Sequence, residues 1–231
     1  MEILNHIPVK FNMTQISKAL HIRRDQDLDL AKALADSALA LIDAKAMYKI
    51  CYIEEKLEDG ILVEGLTFKS RVLRKNLDQV ERIFPYVVTI GPRFEEEMRK
   101  STDILKKYYL DILGTLALTS ARNHFQNHLK SKYALEKMSF MSPGSLADWP
   151  IQEQRPLFEL LGDVDKSVGV TLTSSLLMLP AKSVSGVYFP TEVNFFSCQL
   201  CPRKDCMGRK AAFDEEKAQE YGINIEHELI N

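Results

Sequence analysis

The chain has 231 residues, of which 45% are hydrophobic and 27% are charged, and its net charge of -2 comes from 30 basic and 32 acidic residues. This composition is typical of a folded globular protein and excludes an intrinsically disordered chain. The charge balance gives no electrostatic reason to expect nucleic acid or a membrane as a partner. The longest apolar run, residues 176–181, is too short to span a bilayer, and residues 1–10 lack a signal-peptide pattern, so we expect a cytoplasmic protein.

The first part of the chain predicts a helix followed by a hairpin. Apolar residues recur at steps of three and four over residues 25–46, which predicts an amphipathic helix. Its buried face is expected to contain Leu30, Leu34, Ala38, Leu41 and Ala44. Residues 48–68 then contain two runs rich in β-branched and aromatic residues on either side of Glu58-Asp59-Gly60, which predicts two antiparallel strands.

The middle of the chain predicts helices around one buried strand. A helix is expected near residues 76–83, and residues 86–91 follow as a strand ending at Gly91. Pro92 is suited to the first position of the next helix because its missing N–H would have no helical partner there. Residues 104–133 form the longest periodic segment and predict one long helix, with a bend possible at Gly114.

Beyond residue 141 a loop rich in proline and glycine precedes a short helix at residues 151–161. Residues 182–189 and 192–200 then read as two strands, and residues 214–223 as a last helix stopping at Gly222. Because strands and helices are mixed without a βαβ rhythm, the predicted class is α+β, with a twisted antiparallel sheet and surrounding helices. We predict a single domain over residues 1–231.

Three of the four cysteines, Cys198, Cys201 and Cys206, follow a C-x2-C-x4-C spacing. Thiolates bind zinc and iron-sulfur clusters, and a C-x2-C pair allows two sulfurs to reach one metal, so these cysteines are the candidate metal ligands. A reactive thiol pair and an incidental grouping of small apolar residues remain as alternatives. The nearby Arg203, Lys204, Arg209 and Lys210 would favour thiolates, or they form a solvated basic surface.

A long motif lies upstream of these cysteines. Residues 169–189, GVTLTSSLLMLPAKSVSGVYF, resemble the signature of the activation domain of vitamin B12-dependent methionine synthase, approximately L-T-x-S-x-x-M-x-P-x-x-S-V-S-G-x-Y-F. The matching residues are Leu172, Thr173, Ser175, Met178, Pro180, Ser183, Val184, Ser185, Gly186, Tyr188 and Phe189. The resemblance covers residues 140–200 and extends back over residues 86–140.

The resemblance implies a cofactor site. In the family this domain binds S-adenosylmethionine and covers the cobalamin of methionine synthase while cob(II)alamin is reduced and remethylated. The expected cofactor-binding residues are Ser142, Pro143, Gly144, Ser145, Ser183, Ser185, Gly186 and Tyr188. Two residues differ from the family pattern, because Phe140 stands where the family has an arginine and Ser145 where it has a tyrosine. Both differences argue against unchanged S-adenosylmethionine binding, since a guanidinium is the natural partner of a ligand carboxylate.

These observations divide the chain into a helix and hairpin region (1–85), a region of family resemblance (86–200), the cysteine cluster (198–211) and a C-terminal helix and tail (212–231). The resemblance implies a stand-alone activation-domain-like protein that assists the reductive reactivation or methylation of a corrinoid protein or cobalamin-dependent methyltransferase. A metal or iron-sulfur centre at the cysteines would let it deliver an electron, whereas zinc there would be structural. The alternatives are a metal-binding docking module without catalysis and a divergent S-adenosylmethionine-binding protein; no catalytic residue is assigned, and turnover is left open.

Overall fold

The computed structural model describes residues 1–203, 206 and 208–223. Its helices are α1 (Met13–Ala19), α2 (Asp25–Leu39), α3 (Arg71–Asn76), α4 (Pro92–Lys100), α5 (Ile104–Lys132), α6 (Gln154–Leu161), α7 (Val164–Val168) and α8 (Glu215–Glu220). Its strands are β1 (Glu2–Leu4), β2 (Lys45–Tyr48), β3 (Cys51–Tyr52), β4 (Glu55–Lys56), β5 (Gly60–Val63), β6 (Leu66–Lys69), β7 (Arg82–Thr89), β8 (Met138–Met141), β9 (Thr171–Leu172), β10 (Met178–Leu179) and β11 (Ser183–Pro190). The predicted α+β class is confirmed.

The largest sheet has the strand order β1-β2-β7-β11-β8, and β3 also pairs with β7. The pairs β1–β2, β3–β7 and β8–β11 are antiparallel. Two smaller sheets are formed by β4-β5-β6 and by β9-β10. The prediction of an antiparallel sheet is therefore correct, and among the described residues no helix is both long and apolar enough to cross a membrane.

Contacts along the chain cluster into two compact units, each assembled from three segments. The first unit contains Met1–Tyr48, Val87–Ser131 and Asp163–Val184, and the second contains Lys49–Tyr86, Lys132–Gly162 and Ser185–Asn231. Because the segments of both units alternate along the chain, no single stretch of sequence corresponds to either unit.

The core of the first unit is built around helices with small residues at their contacts. Ala31, Ala35 and Ala38 of α2 are buried in the same cluster as Leu113 and Ala117 of α5. Alanines allow helices to approach closely. Of the predicted face, Ala38 is buried in this cluster and Leu34 and Leu41 pack against it, whereas Leu30 is 41% exposed.

Helix α2 also ends earlier than predicted, at Leu39 rather than at residue 46. The backbone N–H of Asp43 donates to the carbonyl of Ile90 at 3.1 Å, and the N–H of Ile7 donates to the carbonyl of Ala44 at 2.8 Å. These long-range bonds take the segment out of the helix and lead it into β2. No local glycine or proline marks the change, which explains the error.

Two further predictions are wrong. The helix expected at residues 76–83 lies earlier, as α3, because the Ser70 hydroxyl accepts the N–H of Leu73 and caps the helix there. The strand expected at residues 192–200 is instead a segment ending in a 3-10 turn at Ser197–Gln199. The Phe195 N–H donates to the hydroxyl of Ser139 at 2.8 Å. This backbone hydrogen bond is therefore made to a side chain rather than to a neighbouring strand.

Four other predictions agree with the structure, whereas β1, α1, α7, β8, β9 and β10 were not predicted. β4 and β5 form the expected hairpin, Pro92 opens α4, α5 is one long helix, and α8 is followed by Gly222 at φ 68°. Gly114 in α5 has a packing role, because a Cβ there would lie 2.7 Å from a ring carbon of Phe94. The tail of the predicted region 212–231 lies beyond residue 223, outside the described residues.

Candidate functional site

The site is built on the pair β8–β11 of the second unit. Val187 of β11 faces Met141 of β8 in the antiparallel register. A Cβ on Gly186 would lie 2.4 Å from the Met141 carbonyl oxygen and 2.7 Å from the Ser142 hydroxyl. Only glycine therefore allows the two strands to approach so closely where the next loop begins. This contact explains the glycine of the S-V-S-G motif.

Residues 142–149, which we call the P-G loop, are closed by their own backbone. The Gly144 N–H donates to the Trp149 carbonyl at 2.7 Å, and the Trp149 N–H donates to the Leu146 carbonyl at 3.1 Å. Ser145 donates to the Ser142 carbonyl through both its N–H, at 3.1 Å, and its hydroxyl, at 2.6 Å. Gly144 has φ 79°, a conformation that favours glycine. The P-G loop is therefore a defined turn.

The end of the P-G loop is anchored through Asp148. Its carboxylate accepts the hydroxyl of Ser70 and, at 2.9 Å, the N–H of Val72, and it lies 3.6 Å from the Arg71 guanidinium. Two hydrogen bonds and one ion pair from the start of α3 thus hold one carboxylate. The charge of Asp148 is used within the fold and is not presented to a ligand.

Two buried polar side chains lie at the end of the P-G loop and just beyond it. Gln154 is 2% exposed and its amide Nε2 donates to the Ser185 hydroxyl at 3.2 Å. Trp149 is fully buried. Within the described part of the chain, no group accepts the Trp149 Nε1 hydrogen or donates to Gln154 Oε1. Sequence reasoning missed both residues, since neither belongs to a recognisable motif.

The cofactor role of the eight predicted cofactor-binding residues stays a prediction, and seven of them lie in the second unit. These are Ser142, Pro143, Gly144, Ser145, Ser185, Gly186 and Tyr188. Ser183 lies in the first unit, where its buried hydroxyl is bonded to the Thr89 hydroxyl at 2.9 Å and the Pro180 carbonyl at 2.7 Å. Its hydrogen bonds are therefore made within the fold.

An aromatic stack lies beside the P-G loop. The ring of Tyr188 is fully buried, with its centroid 4.6 Å from that of Tyr86 and 5.5 Å from that of Phe140. Phe140 is half-buried. The ammonium of Lys210 lies 4.8 Å from the centroid of the Phe140 ring. Lys210 thus brings a positive charge to the strand that leads into the P-G loop.

Residues 198–211, which we call the cysteine loop, are held together by Arg209. Its guanidinium donates to the carbonyls of Cys198 and Ala211 at 3.1 Å, of Cys201 at 3.2 Å, and of Arg203. The sequence indicated Arg209 only as a nearby positive charge. The structure shows a side chain that donates to the carbonyl groups of four described residues of the loop.

The three thiols of the cysteine loop are free and differ in exposure. Cys198 and Cys201 are half-buried, whereas Cys206 is exposed. The Lys210 N–H donates to the sulfur of Cys198 at 3.4 Å. Among the described residues, no group of three or more histidine, cysteine, aspartate or glutamate side chains is placed to hold a metal ion. The metal site at Cys198, Cys201 and Cys206 stays a prediction, and Lys204 lies outside the described residues.

Cys51, the remaining cysteine, is in a different environment. It is 1% exposed, and its thiol donates to the Glu64 carboxylate at 3.3 Å. Burial first, and then the hydrogen bond and negative charge of Glu64, raise the pKa of Cys51 to about 12. The hydrogen bond from Lys49 lowers the pKa of Glu64. Cys51 is therefore a neutral thiol at physiological pH.

Comparison with known protein structures identifies the fold of this chain. The crystal structure of the MetH reactivation domain bound to AdoHcy is similar to this chain with a TM-score of 0.59 and 14% sequence identity, covering 85% of this chain and 81% of that chain. The architecture is therefore that of the reactivation-domain fold.

The family comparison is consistent with the fold. Residues 126–210 match the model of the family described as vitamin B12 dependent methionine synthase, activation domain. This range contains the P-G loop, β11 and the three cysteines of the cysteine loop. The resemblance predicted from residues 169–189 is confirmed. A search of curated proteins found no match.

Proposed function

We propose that this chain binds S-adenosylmethionine at the P-G loop and assists the reductive methylation of a cobalamin-carrying partner protein. The proposal is supported by the family match over residues 126–210 and by the similar fold of the AdoHcy-bound MetH reactivation domain. The family implies cobalamin on the partner. This chain's contribution is to position the methyl donor.

The observation that carries the proposal is the preformed geometry of the P-G loop. The loop is fixed by bonds among its own residues, by the Asp148 anchor and by the close approach of β11 at Gly186. A loop that is already ordered loses little conformational entropy when a ligand binds. The hydrogen bonds that close the loop are made by residues 142–149 and do not involve the Phe140 side chain.

The thiols of the cysteine loop are candidate ligands for a metal or an iron-sulfur cluster. A bound iron-sulfur cluster or zinc would add electron delivery or structural support, respectively. Anaerobic purification followed by iron, sulfide and zinc assays and a visible spectrum decides between these cases. Iron with sulfide and an absorbance that bleaches with dithionite would make the cysteine loop a redox site.

The first experiment is calorimetric titration of the protein with S-adenosylmethionine and with S-adenosylhomocysteine. Saturable binding of either ligand is expected. Gly144→Ala places a Cβ 3.0 Å from the Ile151 side chain at φ 79°, whereas Gly162→Ala meets nothing within 4 Å at a similar φ of 77°. Both variants have comparable backbone strain, so weaker binding in Gly144→Ala alone would locate the ligand at the P-G loop.

The second experiment tests the partner. The protein is mixed with a cob(II)alamin-loaded corrinoid protein, S-adenosylmethionine and titanium(III) citrate as the electron donor. Formation of methylcobalamin, followed by absorbance, should be faster with the protein than without it. Equal rates in both samples would contradict the role in reactivation, even if the ligand binds.

A further inference from the structure

The P-G loop has no cation of its own. Its residues 142–149 include one ionisable side chain, Asp148, and that carboxylate is already held by Ser70, Val72 and Arg71. A ligand with an α-amino acid carboxylate would lose its hydration on binding and would need a positive partner. Such a partner must therefore come from another segment of the chain.

Lys210, in the cysteine loop, contacts Phe140 on the strand that leads into the P-G loop. Its ammonium lies over the face of Phe140, 4.8 Å from the ring centroid, and Phe140 is two residues before Ser142. An ammonium over an aromatic face is attracted by the ring quadrupole. This contact places the Lys210 ammonium beside the strand that leads into the P-G loop.

The backbone that carries Lys210 is fixed on both sides. The Lys210 N–H donates to the sulfur of Cys198, and the preceding residue, Arg209, is bonded to the carbonyls of Cys198, Cys201, Arg203 and Ala211. The side chain therefore extends from an anchored position. The cysteine loop acquires a function that does not require a metal, because it positions this cation.

We propose that Lys210 is the carboxylate-binding cation of the site, and that it pairs with the carboxylate of the methionyl part of S-adenosylmethionine or S-adenosylhomocysteine. This inference rests on the proposed binding of that ligand at the P-G loop. Phe140 of β8 supports the Lys210 ammonium through its ring.

The test compares ligands with and without the carboxylate. Calorimetry is carried out with S-adenosylhomocysteine and with methylthioadenosine, which has the nucleoside and sulfur but no amino acid part. Lys210→Ala should bind S-adenosylhomocysteine about tenfold more weakly and methylthioadenosine unchanged, as expected when one charge-assisted contact is lost. Lys210→Arg should keep most of the affinity, because the positive charge is retained.

Lys132→Ala is the matched control. The Lys132 ammonium also lies over an aromatic ring, 5.7 Å from the centroid of Tyr133, but it belongs to the end of α5 rather than to the cysteine loop. This variant should bind both ligands as the original chain does. Urea unfolding of all variants shows whether any loss of affinity reflects a loss of fold.

Three outcomes overturn the inference in different ways. If the original chain binds neither S-adenosylmethionine nor S-adenosylhomocysteine, the proposed function fails and the inference fails with it. If the original chain binds and Lys210→Ala weakens both test ligands equally, or neither, ligand binding stands and the role of Lys210 is wrong. If Lys210→Ala binds S-adenosylhomocysteine more tightly, Lys210 obstructs the site rather than completing it.

Discussion

The P-G loop and the cysteine loop lie in the same unit but are stabilised in different ways. The P-G loop is closed by its backbone and by strands so close that only glycine fits at residue 186. The cysteine loop is held by one guanidinium that donates to four carbonyls. The P-G loop requires particular residues at particular positions, and these residues are visible as a sequence motif. The cysteine loop requires only one long side chain at the right place, which is hardly visible in the sequence.

The largest effect is expected from Gly186→Ala. The new Cβ would lie 2.4 Å from the Met141 carbonyl oxygen, so β8 and β11 must separate, and we expect a loss of at least about 3 kcal/mol in the free energy of unfolding. Urea denaturation followed by circular dichroism measures it. Gly208→Ala is the control, because a Cβ there meets its nearest described atom, the Cys206 sulfur, at 3.8 Å. Equal stability of both variants would show that the strands can separate at little cost.

The next effect concerns the cysteine loop. Arg209→Ala leaves the carbonyls of Cys198, Cys201, Arg203 and Ala211 without this donor, and we expect a loss of about 2 kcal/mol, in the range for hydrogen bonds from a charged group. The half-buried thiols should also react several-fold faster with Ellman's reagent once the loop loosens.

Arg203→Ala is the control for this prediction, because Arg203 contributes a carbonyl to the network rather than its guanidinium. It should leave both stability and thiol reactivity near those of the original chain. A reactivity in Arg209→Ala equal to that of the control would mean that the loop is held by other contacts.

Cys51 lies outside both loops, and its buried thiol predicts how the free energy of unfolding depends on pH. Its pKa is raised to about 12 in the folded chain from an ordinary value of 9.0, so between these values the unfolded chain loses the proton while the folded chain keeps it. The protonated Cys51 thiol therefore contributes to the free energy of unfolding. This contribution is fully present below pH 9 and falls as the pH rises, by about 1 kcal/mol at pH 10.

Urea denaturation at about pH 8 and about pH 10 isolates this contribution when the original chain is compared with Cys51→Ala. The original chain should lose more stability between the two pH values than the variant does. Cys206→Ala, which removes an exposed thiol, should retain the slope of the original chain. Parallel slopes for the original chain and Cys51→Ala would contradict the raised pKa.

The sequence predicted the parts of the fold that depend on local signals. Pro92 at the start of α4 and Gly186 in β11 are required where they stand, and the periodicity of α5 persists over its whole length. The end of α2 could not be found, because it depends on a bond from Asp43 to the distant Ile90. At the candidate site, the loop residues were predicted from the motif.

The partners of the loop residues were not predictable from spacing. The contact of Lys210 with Phe140 joins residues 70 positions apart, and the pair Gln154–Ser185 joins residues 31 positions apart. The predicted strand at residues 192–200 failed for the same reason, because Phe195 is bonded to the distant Ser139 side chain. Apolar composition favours a strand there, but it does not show where the backbone hydrogen bonds are made.

The smallest effect is expected from Trp149→Phe, which tests whether the P-G loop is closed by its backbone. The Trp149 carbonyl and N–H both close the loop, whereas no described group accepts the hydrogen of its buried Nε1. Phenylalanine keeps the backbone bonds, loses some packing volume and removes a buried donor, and these terms oppose each other. We expect a change within about 1 kcal/mol, against a loss of about 3–5 kcal/mol for Trp149→Ala, which leaves a cavity. If Trp149→Phe were as destabilising as Trp149→Ala, the indole N–H would contribute to the loop, and closure by backbone bonds alone would be the wrong account of it.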